Sequence, residues 1–178
     1  MEKLMELTQC KQAEVARSIG VPRQLLSYVV AGRRDMSLSL ALKLESYFNL
    51  PEGKLLKMQT EDCIQSYKSQ LRKKLVERLI QANAFWSYAN PTLGQIPDEE
   101  LIEKVFIYLD MQDISKLFEL FTWEYLRKVW RSRMAVQGDY LSQLNVMIAL
   151  YYFNIKDPEK YLLRIGQEHI RNQLKSHA

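Results

Sequence analysis

Histidine and cysteine, on which much of enzyme and metal chemistry depends, occur only twice each in this 178-residue chain. His169 and His177 stand in a polar tail with no base, nucleophile or metal companion beside them. Cys10 and Cys63 are far apart and have no Cys or His nearby, which excludes a zinc cluster by spacing. A disulfide is not expected in a reducing compartment. There is no Gly-rich phosphate loop, no G-x-S-x-G and no H-E-x-x-H. Asp98-Glu99-Glu100 reads as the acidic first turn of a helix, and Asp110 with Asp113 as a turn, rather than as catalytic carboxylates. The expectation is a protein that is not an enzyme and uses neither cofactor nor metal. No apolar run approaches the roughly 20 residues of a membrane span. The start MEKLMELTQCK lacks a secretory core, so a cytoplasmic location is expected. Only five prolines and six glycines interrupt a chain rich in Leu, Lys, Gln and Glu, without an alternating strand pattern. The fold class is therefore all-α.

What is present centres on residues 12–34, QAEVARSIGVPRQLLSYVVAGRR. Ala13, Val15, Ala16 and Ile19 recur at helical spacing, and Gly20 permits the sharp end of that helix. Pro22 presets the start of a second helix, whose inward stripe is Leu25, Leu26 and Val29. Its other face carries Arg23, Gln24, Ser27 and Tyr28, and Gly32 closes it. Two short helices joined by a tight turn form a probe suited to a groove. Residues 1–58 hold nine Lys or Arg against six Asp or Glu, and residues 59–178 sixteen against fifteen. The positive excess thus lies where a phosphate backbone would be met.

These residues resemble the Cro/C1-type helix-turn-helix family, in which Q-x-x-x-A, a G-V turn, an inward serine and G-[KR] recur at this spacing. The continuation RRDMSLSLALKLESYFNL is similar to the variant in HigA-type antitoxins, where a small-residue cap leads into A-x-[KR]-L-E. The resemblance implies a five-helix N-terminal domain over residues 1–58 that binds double-stranded DNA. Arg23, Gln24, Ser27 and Tyr28 are the expected base readers, since Arg suits guanine and Gln suits adenine. Gln12, at a helix N-terminus, and Arg33 and Arg34 are the expected phosphate contacts. Ser27 also admits an internal packing role. Two departures stand out. Pro22 replaces the usual Ser or Thr cap, and Val30 and Ala31 replace polar residues before the glycine.

Residues 1–7 are expected to form the first helix of that domain. Ser37 is placed to cap the fourth helix, which presents Leu40, Ala41, Leu44, Tyr47 and Phe48, and Pro51 starts a short fifth. Thr60-Glu61-Asp62 reads as the capped start of a long connecting helix to about residue 83. Its expected inward stripe is Ile64, Tyr67, Leu71, Leu75, Leu79 and Ala82. Lys68, Arg72, Lys73 and Arg78 form a basic opposite face, open to reading as solvated surface or as a contact with flanking DNA. After the cluster Phe85, Trp86 and Tyr88 and a polar break, four short helices follow, the last spanning residues 141–153. Thr122 is expected to cap the third. Residues 59–178 thus form a C-terminal helical domain for partner binding or dimerisation. Trp86, Tyr151 and Tyr152 are its candidate partner or ligand contacts.

The stretches AFWSY, IPDEELIEKVFIYLDMQDISKLFELF and YYFNIKDPEKYL resemble a helical domain encoded beside nucleotidyltransferase-type toxins. That likeness covers residues 70–163 and implies a toxin of that class as partner. The combined expectation is a homodimeric transcriptional regulator, the antitoxin and autorepressor of a bacterial toxin–antitoxin operon. A one-component regulator with a small-molecule-sensing C-terminal domain and a protein-interaction adaptor are the alternatives.

Overall fold

The computed structural model describes residues 11–85 and 96–176. The helix expected over residues 1–7, Trp86, Tyr88 and the polar break after them lie outside these residues. The described residues are helical, without a strand among them. They divide into two compact units, residues 1–67 and 68–178.

The first unit contains α1 (Gln12–Ser18), α2 (Arg23–Val30), α3 (Leu38–Tyr47) and the start of α4 (Lys54–Gln81). Its core gathers Val15 and Ala16 of α1, Leu26 and Val29 of α2, Leu40, Ala41 and Leu44 of α3, and Leu55 of α4. The turns between them follow one rule. After α1 the Gly20 N–H donates to Arg17 O and the Val21 N–H to Ala16 O, with Gly20 at φ 67°. After α2 the Gly32 N–H donates to Val29 O and the Arg33 N–H to Tyr28 O, with Gly32 at φ 68°. These paired bonds satisfy the last carbonyls and need a left-handed residue at the reversal. Asn49 fills that place after α3, at φ 52°. Ser37 caps α3 as expected, its side chain accepting from the Leu40 N–H.

The fifth short helix and the long helix are not separate. A single helix, α4, runs through both, because no proline or glycine occurs between Lys54 and Gln81. Thr60 lies inside it and donates back to Leu56 O at 2.9 Å, so it is not a cap. The N-terminus of α4 is capped instead by Glu45 of α3. Its carboxylate is buried and accepts from the Gly53 and Leu55 N–H groups at 2.9 and 2.7 Å. The inward stripe is shorter than expected: Leu71, Leu75 and Leu79 are buried, with Val76 beside them, whereas Ile64, Tyr67 and Ala82 are exposed.

The second unit comprises the rest of α4 with α5 (Asp98–Tyr108), α6 (Met111–Leu120), α7 (Trp123–Val129), α8 (Ser142–Tyr151) and α9 (Pro158–Ser176). Asp98, Glu99 and Glu100 do occupy the first turn of α5, and Thr122 caps α7 by accepting from the Tyr125 N–H. Between α7 and α8 the chain widens into a π turn, Trp130–Met134, and then a 3-10 turn, Gly138–Leu141. The π turn lets Trp130 and Met134 both reach zero exposure. Buried Asn145 on α8 then accepts from the Trp130 Nε1–H at 2.8 Å and donates to Met134 O at 3.0 Å. The polar tail is the continuation of α9.

Candidate nucleic-acid interface

α2 is held by one face and offers the other. Leu26 and Val29 are buried and Leu25 is half-buried, whereas Arg23, Gln24 and Tyr28 are exposed. Ser27 is half-buried between the two faces. Pro22 occupies the N-cap position at φ −59° and makes no side-chain cap bond, as its replacement of Ser or Thr implies. The first-turn N–H groups therefore lack that internal acceptor.

Two of the expected base readers are joined. The Gln24 Nε2–H donates to the Tyr28 hydroxyl at 2.9 Å across one helical turn. The amide keeps its oxygen and a second N–H, the donor and acceptor that adenine presents partners for in the major groove. Among the described residues Arg23 makes no ion pair, so its guanidinium is not engaged by a carboxylate.

Arg33 and Arg34 follow directly on the glycine reversal and are exposed, again without an ion pair among the described residues. Their loop is tied down by Gln59 of α4, whose Oε1 accepts from the Met36 N–H at 2.7 Å. The Met36 side chain is buried beneath it. Gln59 carries no sequence signal for this role, because its partner lies 23 residues away. Gln12 opens α1 and is half-buried. Val30 packs against the core edge, and Ala31 is exposed.

The helix-turn-helix family matches residues 1–55. This segment is a Cro/C1-type helix-turn-helix domain. The helix-turn-helix domain supports a DNA-binding transcriptional regulator. The family match ends at residue 55 and does not reach residues 70–163. Comparison with curated proteins and with solved structures found no match.

Three cations in the basic stretch of α4 are engaged within the second unit. Lys68 donates to Leu120 O, Arg72 to Asp98 and Ile96 O, and Arg78 pairs with Asp110 and Asp113. Lys73 pairs loosely with Glu77 at 3.9 Å. Asp110 caps α6 by accepting from the Asp113 N–H, so it is a helix start rather than a free turn. Asp113 is almost fully buried. Burial alone would raise its pKa, but hydrogen bonds from Lys116 and Arg78 outweigh it and hold the carboxyl below its ordinary value.

Tyr151 is 67% exposed, while Tyr152 turns inward, stacked on Phe118 at 5.5 Å between centroids. The Tyr152 hydroxyl is buried and has no hydrogen-bond partner among the described residues. Burial chiefly, and the neighbouring Tyr151, raise its pKa. Among the described residues no group of His, Cys, Asp and Glu is arranged to hold a metal, and no helix is long and apolar enough to cross a membrane.

Proposed function

We propose that the helix-turn-helix domain reads a specific duplex through α2, and that the chain is the antitoxin and autorepressor of a toxin–antitoxin operon. It acts by binding rather than catalysis. The observation that carries the reading is the exposed first turn of α2, where Arg23 stands unpaired by any described carboxylate and Gln24 is oriented by Tyr28. Arg33 and Arg34 flank it as phosphate contacts, and a two-fold dimer would meet half-sites about 10 base pairs, or a multiple, apart.

Selection of duplexes from a random pool, followed by binding measurements, tests the base reading. Arg23→Ala and Gln24→Ala should each cost roughly 1–3 kcal/mol at one base pair and leave random DNA little affected. Equal losses on selected and random DNA would remove both from the base-reading role. The antitoxin role is supported by the sequence likeness of residues 70–163. It predicts that the full chain forms a stoichiometric complex with a nucleotidyltransferase-type protein encoded next to it and relieves that protein's toxicity. A neighbouring protein that neither binds nor needs neutralising would leave a repressor without a toxin.

A further inference from the structure

The last helix, α9, has two apolar faces, and the second unit uses only one of them. Tyr161, Leu162 and Ile165 turn toward the core. On the opposite side Leu163 is 68% exposed, Ile170 58% and Leu174 69%. With 3.6 residues per turn, these three and Gln167 lie within about 60° of one another around the helix. Their spacing of four, three and four is the alternation of a heptad, with Leu163 and Ile170 at d and Gln167 and Leu174 at a. Single exposed apolar residues need no explanation. A phased stripe opposite a face already packed is a different matter.

We propose that this face joins two copies of the chain, their α9 helices parallel and in register about a two-fold axis. Charge selects the orientation. In a parallel pair the g position of one helix meets the following e position of the other, which sets Glu159 against Arg164 of the second copy. Both are exposed. An antiparallel pair would instead oppose Arg164 to Arg171. Gln167 selects the register, since its amide meets the same amide across the axis and each can donate and accept. A polar side chain at one a position fixes alignment at some cost in stability.

Two heptads are short for a free-standing coiled coil, but the stripe does not end at four side chains. It borders a groove of about 490 Å³ that Leu163, Gln167 and Ile170 line together with Val136 and Val146. Apolar surface beyond α9 thereby joins the seam. The inference gives the two-half-site reading its dimer contact, yet its test needs no DNA.

The full-length chain is examined by sedimentation equilibrium at micromolar concentration, with circular dichroism to confirm unchanged helicity in each variant. The wild type should sediment as a dimer. Ile170→Glu should weaken association at least tenfold, and Gln167→Leu should strengthen it. In a chain with Cys10→Ser and Cys63→Ser, Gln167→Cys should cross-link the two copies on mild oxidation. A wild type that stays monomeric overturns the proposal, as does a dimer indifferent to Ile170→Glu. A dimer that Gln167→Cys fails to cross-link overturns the parallel register. A monomer that still selects a duplex sequence would leave the DNA reading standing, and a dimer that retains no duplex would do the reverse.

Discussion

Asp113 and the hydroxyl of Tyr152 are both buried polar groups of the second unit, and their surroundings make opposite predictions. Asp113 accepts from Lys116 at 2.6 Å and from Arg78 at 2.9 Å. Its folded pKa is lowered, so its stabilising contribution is complete above the ordinary carboxylate range near about 4 and is lost as pH falls through the folded value. Asp113→Asn should cost about 1–2 kcal/mol at neutral pH, discounted because both cations are partly solvated. The difference from wild type should vanish in acid, read by urea unfolding at several pH values. A pH-independent loss would point to packing instead. Tyr152 has no described partner for its hydroxyl, so Tyr152→Phe should be neutral or stabilising by up to about 1 kcal/mol. A marked loss in the same unfolding measurement would reveal a bond from outside the described residues.

At the scale of elements, the local signals were legible and the distant ones were not. Ser37 and Thr122 were readable as caps because a capping bond joins residues three apart. In the sequence Glu45 belongs only to the A-x-[KR]-L-E pattern, yet its carboxylate caps α4 from α3, eight to ten residues away. Thr60 shows the converse: followed by Glu61 and Asp62 it carries a start signature that a helix interior can also contain. The role of Glu45 implies that Glu45→Ala should cost about 2–4 kcal/mol, since it leaves two N–H groups unpaired beside a core residue, Leu55. Thermal unfolding of the first unit, followed by helicity, checks it; a change under about 0.5 kcal/mol would mean that water replaces the cap.

For the whole molecule, the two units divide the charge differently. The second unit pairs Lys68, Arg72 and Arg78 of α4 with its own carboxylates and backbone carbonyls. In the first unit Arg23, Arg33 and Arg34 have no ion-pair partner among the described residues. Salt dependence of duplex binding should therefore report on the first unit. Arg33→Ala should weaken selected and random DNA alike and reduce the salt slope by about 1. Arg72→Ala should leave the slope unchanged while lowering stability, because its partners are Asp98 and Ile96 O. A slope altered by Arg72→Ala would restore the basic stretch of α4 as a DNA contact.

By itself, the order of residues determined the helical class, the turn at Gly20, the stop at Gly32 and the face that carries Arg23, Gln24 and Tyr28. Each follows from periodicity or from a backbone angle that few residues tolerate, and both are properties of neighbours in the chain. Only the tertiary structure decided that α4 is one helix capped by Glu45, that Gln59 tethers the arginine loop, and that Tyr152 turns inward while Tyr151 does not. It also decided that Lys68, Arg72 and Arg78 of α4 are already engaged. Those outcomes depend on which distant carboxylate, carbonyl or ring the folded chain brings within bonding distance, and no local pattern encodes that proximity.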